Sequence, residues 1–297
     1  MFLSNSKNEQ VDSILATTGL DFTINKVPMF IGDNQPTPYF ALVNSKSGNV
    51  INSVKDSYTV TQNRDIVAMI VDGISKFGDK LTIQKGGSLN DGRRVYLQLA
   101  IEGHSKVGDD IIKKYVTIID SNDGSTGLSV GIGDLTMSCQ NQFFKFYKAG
   151  QSRFRHTATI EQRVKEIPTL IELALTQSMQ TIELYNKFAS TPCTRELAHK
   201  MVNYILGFDK TSLTHTDYAN LSSRNENAME ALYSHIEKEM NQKGNNVWGL
   251  HSGVTSWTTH EKSAPRRENG RLESIMTGTN YKTNQQSLEF ASKLILV

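Results

Sequence analysis

DSNDGSTGLSVGIGDLTMSCQNQFFKFYKAGQSRFRHTATIEQRV, residues 120–164, decides how the chain is read. It opens with a turn, Ser121-Asn122-Asp123-Gly124-Ser125, continues as glycine-spaced strand sequence, and ends in an aromatic and basic segment. Between Gln142 and Val164 stand five cations, Lys145, Lys148, Arg153, Arg155 and Arg163, against one acid, Glu161. Phe143, Phe144, Phe146, Tyr147 and Phe154 are interleaved with them. A cation attracts phosphate, and a ring gives a base a face to stack on, at about 1–3 kcal/mol per base. Two readings are open: a nucleic-acid surface, or core rings with a solvated cationic edge. Arg153 and Arg155 flank Phe154, so an extended backbone puts both guanidiniums on one side and the ring on the other. After Arg155 the pattern turns from strand to helix, which predicts an α+β chain: a β-rich N-terminal half with one inserted helix, and a helical C-terminal half.

Toward the N-terminus, residues 39–44 and 49–54 flank Ser45-Lys46-Ser47-Gly48, a hairpin signal. Residues 58–62 alternate as a further strand. Asn63 is the expected N-cap of a helix carrying Ile66, Val67, Ile70, Val71, Ile74 and Phe77, with Gly78 as its stop. Residues 81–84 read as a strand, Asn90-Asp91-Gly92 as a turn, and 94–102, 115–120 and 128–139 as antiparallel strands. Gly131 and Gly133 are strand glycines. Residues 1–36 are polar and mixed, and read as an arm docked on the domain or on a neighbouring copy. The expected organisation is an arm (1–36), a β-rich core (37–158) and a helical region packed on it (159–297).

Toward the C-terminus, Thr159 with Gln162 resembles a capping box. A stripe from Val164 to Tyr185 follows, with Pro168 marking its start or a kink. Thr191-Pro192 is expected to open a second helix that ends at Gly207. Ser223 and Glu226 are expected to cap a third, which carries Met229, Leu232, Tyr233, Ile236 and Met240. Val247, Leu250, Val254 and Trp257 make a fourth stripe. Residues 260–283, with Lys262, Arg266, Arg267 and Arg271, read as a basic loop before a last helix over 284–294.

A hydrophobic content of 38% and a net charge of +2 fit a packed core and exclude a generally basic protein, so nucleic-acid binding needs a local patch. Cys139 and Cys193 lack C-x-x-C spacing, which suits a reducing compartment. No signal segment or membrane-length apolar run is read, so the expected location is cytoplasmic, in the host if the chain is virus-encoded. No P-loop, H-E-x-x-H or G-x-S-x-G is present. His251 and His260 lack a third metal ligand, and Cys139 near His156 reads better as a small buried cysteine than as a nucleophile. Asp120, Asp123 and Asp134 are the one carboxylate set suited to a divalent ion, although Asp123 before Gly124 is more simply a turn residue. No cofactor is expected, and no motif recommends an enzyme.

TVTQN (59–63), DGRRVY (91–96), SNDGST (121–126), TMSCQN (136–141), FRHT (154–157) and NVWGLHSGVTSWTTHE (246–261) occur in this order. Together they resemble the phage/plasmid-like protein family known as domain of unknown function 932, over roughly 38–290. Asn122 stands where the resemblance implies His. The resemblance implies a mobile-element or viral origin and supplies no activity. The order of hairpin, helix, antiparallel strands and long helix is also similar to the single-strand annealing recombinases, which hold single-stranded DNA in a basic groove without ATP.

These features lead to an expected single-stranded-DNA-binding protein that promotes annealing. Arg93, Arg94, Lys113, Lys114, Lys145, Lys148, Arg153 and Arg155 are the phosphate candidates, and Phe143 and Tyr147 the stacking candidates. RNA is a second candidate ligand. Further copies of the chain are expected partners, a ring being one arrangement. The alternatives are a module that binds a host protein and a metal-dependent nuclease.

Overall fold

The computed structural model describes residues 2–123, 127–146, 167–208 and 221–295. They form a mixed α+β chain with antiparallel sheets in the N-terminal half and helices in the C-terminal half. Two compact units divide it: one takes Met1–Glu102, Tyr115–Ile132 and Phe146–Thr176, the other Gly103–Lys114, Gly133–Lys145 and Gln177–Val297.

The first unit begins with α1 (Phe2–Thr18), then β1 (Ile24–Ile31), β2 (Gln35–Asn44) and β3 (Val50–Lys55), an antiparallel sheet in that order. The segment read as an arm, residues 1–36, thus holds α1 and β1 and packs on the first unit. Val11 and Leu15 of α1, and the alternating Leu20, Phe22 and Ile24, are buried in the unit's core. Val11 and Leu15, with the partly buried Ile14 beside them, suffice in so polar a helix because only one narrow stripe meets the core.

Residues 58–62 are not a strand either, despite their alternation. The Gln62 carboxamide brackets the Ile24 backbone: its Oε1 accepts from Ile24 N and its Nε2 donates to Ile24 O, both at 3.0 Å. α2 (Asn63–Ser75) follows with Gln62, not Asn63, in the N-cap position. Asn63 instead donates from Nδ2 to the carbonyls of Leu20 and Phe22, each at 3.2 Å. Ile66, Val67, Ile70 and Val71 face the core at the predicted helical spacing.

β4 (Leu81–Leu89) and β5 (Arg94–Ile101) form a hairpin whose turn holds Gly92 at φ 83°. A Cβ there would sit 2.9 Å from the Phe22 ring, so the turn needs glycine twice over. β5 pairs on its other side with β7 (Asp110–Ser121), and the sheet runs in the order β4-β5-β7-β8-β9. β8 is Ser129–Thr136, β9 is Gln142–Phe146, and β6 (Ser105–Val107) pairs with β7. β5 is buried on both faces, Tyr96 and Gln98 included, because it is a central strand.

The second unit is mainly helical. α3 (Ile167–Ser190) begins in the first unit, with Pro168 in its first turn where a missing N–H costs nothing, and enters the second at Gln177. α4 (Arg195–Leu206) starts later than Thr191-Pro192 predicted. Thr194 Oγ1 caps it by accepting from Leu197 N, and Gly207 closes it in a left-handed conformation at φ 78°. Pro192 instead makes a β-bridge with Asn246. α5 (Ser223–Lys243) is capped by Ser222, one residue before the expected cap, and α6 (Val247–His260) by Asn246.

α7 (Gly270–Thr277) and α8 (Thr279–Leu294) occupy most of the expected basic loop. Its cations tie the turn together. Arg267 donates to Glu273 Oε2 at 3.1 and 2.7 Å, and Arg271 donates to Lys262 O at 2.9 Å.

Gly249 and Gly253 let α5 and α6 pack backbone to backbone. A Cβ on Gly253 would overlap Ile236 Cα and lie 2.9 Å from its nitrogen; one on Gly249 would lie 2.8 Å from Gly244 O. Backbone cannot swing aside as a side chain can. Gly253→Ala is expected to cost about 1–3 kcal/mol, read as a lowered denaturant midpoint.

Candidate functional site

Arg93 and Arg94 close the β4–β5 turn in the first unit, whereas Lys113, Lys114, Phe143 and Lys145 lie in the second. Tyr147, Lys148, Arg153 and Arg155 lie outside the described residues, as do the Thr159–Gln162 box and His156. Phe143 is not a stacking residue. It is 4% exposed, and meets Tyr185 and His251 edge-on at ring-centroid distances of 6.4 and 5.6 Å. β9 buries two consecutive rings, Phe143 and Phe144, so the interleaved pattern is partly core, as the second of the two sequence readings had it.

Two of the expected cations act on the charge of one acid. Asp134, on β8, is buried, and Lys114 on β7 and Lys145 on β9 both interact with its charge. Tyr185 OH donates to Asp134 Oδ2 at 3.2 Å, and Oδ1 has no hydrogen-bond partner among the described residues. Burial raises the Asp134 carboxyl from 3.8 to about 7, against the opposing pull of Tyr185 and the two lysines. Burial also draws both ammonium groups below the usual lysine range, and Asp134 partly restores them.

A second polar cluster is deeper. Lys243 Nζ stands 2.5 Å from Asp110 Oδ2 and 3.5 Å from Glu239 Oε2, its side chain only 5% exposed. Trp248 Nε1 and Ser138 Oγ donate to the two Asp110 oxygens at 2.7 and 2.9 Å. Asn141 Nδ2 donates to Glu239 Oε1 at 3.1 Å and to Ser252 O at 3.3 Å. His260 Nε2 faces two acceptors, Cys139 O at 3.1 Å and Asn141 Oδ1 at 3.2 Å, so that nitrogen carries the proton.

Beside this cluster opens a cavity of about 270 Å³, lined among others by Cys139, His235, Glu239, Ser256 and His260. His235 lies 2.8 Å from Ser256 Oγ through Nδ1 and 2.9 Å from Glu261 Oε2 through Nε2.

Nothing here resembles a metal centre: among the described residues no group of three His, Cys, Asp or Glu is placed to hold an ion. Asp120 and Asp123 belong to the first unit and Asp134 to the second. His251, paired with Ser287 Oγ at 2.8 Å, is buried among rings, and burial pushes it down to about 3, so it is a neutral core residue. No described helix is long and apolar enough to cross a membrane.

The family model described as Domain of unknown function (DUF932) matches residues 50–287. The chain belongs to the DUF932 family. No curated protein and no solved structure matches it. The DUF932 segment starts at β3, so α1, β1 and β2 precede it.

The motifs that carried the DUF932 resemblance fall into two groups. TVTQN, DGRRVY and Ser121–Asp123 lie in the first unit, where Asn122 Nδ2 donates to Gly92 O at 2.9 Å and Asn52 Nδ2 to Asp123 O at 2.9 Å. Asn122 therefore holds a turn together by its amide. TMSCQN and NVWGLHSGVTSWTTHE meet in the second unit, with Gln142 N donating to Thr259 Oγ1 at 3.1 Å beside the Asn141 contacts. Sequence reading missed His235, Glu239 and Lys243 as partners of these motifs. Their spacing along α5 places them on neighbouring turns, yet only the pairing of α5 with α6 shows what they face.

Proposed function

We propose that this DUF932 protein binds single-stranded nucleic acid, DNA first, and promotes strand annealing without ATP. The observation that carries this reading is the electrostatic pull of Lys114 and Lys145, from the strands on either side of β8, on the buried Asp134. Two strands that are separate in sequence bring their cations to one acid, and β9 leads directly into the segment bearing Lys148, Arg153 and Arg155. Lys113, Lys114 and Lys145 contact phosphates in this reading, with Arg93 and Arg94 as further candidates. Tyr147 is the stacking candidate that remains. Annealing needs neutralised phosphates and accessible bases, and no covalent step.

Further copies of the chain are the second partner. Val27, Met29, Phe30, Ile31, Tyr39 and Val50 are exposed apolar residues on β1–β3, with Phe30 and Ile31 at 56% and 62%. β1 and β3 are the outer strands of that sheet, and an exposed apolar edge is a template for strand addition. The same strip favours a competing reading, capture of a host protein. A stoichiometric host partner that survives nuclease treatment in a pulldown, with no oligonucleotide binding, would establish that reading instead.

The test is a gel shift with a labelled single strand at several salt concentrations. Lys114→Ala with Lys145→Ala is expected to weaken binding for all sequences. The slope of log affinity against log salt should become shallower by about 1.4, from about 0.7 per lost single-strand phosphate contact. No shift of the wild-type chain at micromolar protein would end the proposal.

A further inference from the structure

We infer that the cavity beside α5 and α6 is a serine acyl-transfer site for small esters or amides, with Ser256 as nucleophile, His235 as general base and Glu261 as the residue positioning His235. This inference is independent of nucleic-acid binding.

Three side chains on two helices stand in relay. Ser256 Oγ to His235 Nδ1 is 2.8 Å, and His235 Nε2 to Glu261 Oε2 is 2.9 Å. An ionised Glu261 accepts only, so Nε2 carries the imidazole proton. Nδ1 is then unprotonated and accepts from the Ser256 hydroxyl, which is the tautomer a general base requires.

Thr255 donates to its own helix, at Ser252 O at 3.0 Å, the ordinary fate of a buried helical hydroxyl. Thr258 donates both to its own helix, at Thr255 O at 3.0 Å, and to the amide oxygen of Asn284 on α8 at 2.7 Å. Ser256 reaches across to α5, and its partner is an imidazole nitrogen and not an amide oxygen. The contact depends on the Gly253–Ile236 approach, because Ser256 lies one turn beyond Gly253 and His235 adjoins Ile236.

The surroundings suit the chemistry. The His235 side chain is 14% exposed, sheltered yet open to the cavity, while Glu261 at the rim is 58% exposed. Lys238 and Gln242 line the same cavity, one and two turns along α5 from His235. The Lys238 ammonium and the Gln242 amide are the donors that this proposal assigns to a developing oxyanion. Cys139 lines it too, but burial and then the Glu239 charge push its thiol up, which keeps it protonated and leaves the serine as nucleophile. A volume of about 270 Å³ admits a short acyl group.

In the step, Ser256 Oγ bonds to the substrate carbonyl carbon while its proton passes to His235 Nδ1. The tetrahedral oxyanion collapses, the bond to the leaving alcohol or amine breaks, and that group takes the proton from His235. Water then repeats the sequence on the acyl-serine, releasing a carboxylic acid and restoring Ser256. No redox partner is needed.

The test uses the full chain with a fluorophosphonate probe, followed by peptide mass spectrometry, and with p-nitrophenyl acetate as substrate. The expected result is a phosphonyl adduct on Ser256 and turnover of the acetate ester. His235→Asn should slow both by 10²-fold or more, the usual loss with a general base. Glu261→Gln should slow both, by up to about 10⁴-fold, with an unchanged melting temperature, and Glu261→Asp should partly restore them, a pattern a merely structural contact would not give. Ser256→Ala should abolish both and leave oligonucleotide binding intact. Adduct mapping on the wild-type chain needs no variant to fold. A folded wild-type chain without an adduct at Ser256, or labelling of Ser256 that His235→Asn leaves at the same rate, would overturn the assignment.

Discussion

Lys243→Met is expected to destabilise the chain by about 3–5 kcal/mol, the cost of breaking a buried ion pair. The Lys243 side chain is 5% exposed, and its ammonium lies between Asp110, 10% exposed, and Glu239, 1% exposed. Removing it leaves two buried carboxylates and no cation. They would suffer unequally. Asp110 keeps the Trp248 and Ser138 hydrogen bonds, at 2.7 and 2.9 Å. Among the described residues Glu239 keeps only the Asn141 donor on Oε1, because the Lys243 ammonium is what faces Oε2. Glu239→Gln in the Lys243→Met background is therefore expected to recover part of the loss, since it removes the carboxylate with fewer donors.

Burial pulls Lys243 down, but the hydrogen bond from its ammonium to Asp110 and the surrounding negative charges leave it raised above 10.5. A lysine raised on folding stabilises at all pH values below its unfolded pKa and loses that contribution only as pH climbs past its folded pKa. The contribution of the Lys243 ammonium itself should thus be flat from pH 6 to 9, and any pH dependence of the difference in that range reports the two carboxylates left behind in Lys243→Met. Urea midpoints at those pH values measure it. A loss below about 1 kcal/mol would mean that water reaches the pair and screens it.

How much of this was legible in the sequence depended on how local the cause is. α2 and α6 follow from their own apolar spacing, and the β2–β3 and β4–β5 hairpins from their turn residues. What escaped has distant causes. Residues 58–62 alternate like a strand, yet the Gln62 carboxamide takes the place of a strand neighbour for Ile24, which is 38 positions away. The cations of 260–283 look solvated until Glu273 is seen to receive Arg267.

The same holds at the site. Lys114, Asp134 and Lys145 become neighbours only through the order β7-β8-β9, and no spacing along the chain encodes that order. Read in sequence, Asp134 sits instead with Asp120 and Asp123 as a metal set. Its burial, and the pull of Lys114 and Lys145 on its charge, depend on that strand order. His235 and Ser256 likewise needed the glycine-mediated contact of α5 with α6. The glycines were visible, but the helix they face was not.

Asp134→Asn is expected to stabilise the chain by about 4 kcal/mol at pH 8, the free energy of moving a carboxyl from 3.8 to about 7. Asn keeps the shape and can still accept the Tyr185 hydroxyl, which donates to Asp134 Oδ2 at 3.2 Å. It abolishes the cost of burying the ionised form.

A carboxyl raised on folding binds its proton more tightly in the folded state than in the unfolded one. Wild-type stability therefore falls as pH rises from about 4 to about 7, and is level above that. The gain from Asp134→Asn should be near zero at pH 4, grow through that window, and stay constant beyond it. Urea midpoints of both proteins at four pH values trace this. A gain independent of pH would show that packing, not charge, is the cause.

The charged groups facing Asp134 are Lys114 from β7 and Lys145 from β9, with the Tyr185 hydroxyl from α3. At pH 8 the ionised carboxylate cancels one of the two cations; below pH 7 its protonation releases that cation toward an incoming phosphate. Under the nucleic-acid reading, wild-type affinity should rise as pH falls from 8 to 6. Asp134→Asn should bind tightly at both, so that the acid, held at a cost in stability, serves to restrain the two lysines. Equal pH dependence in the two proteins would separate Asp134 from phosphate binding while leaving the stability prediction to be judged on its own measurement.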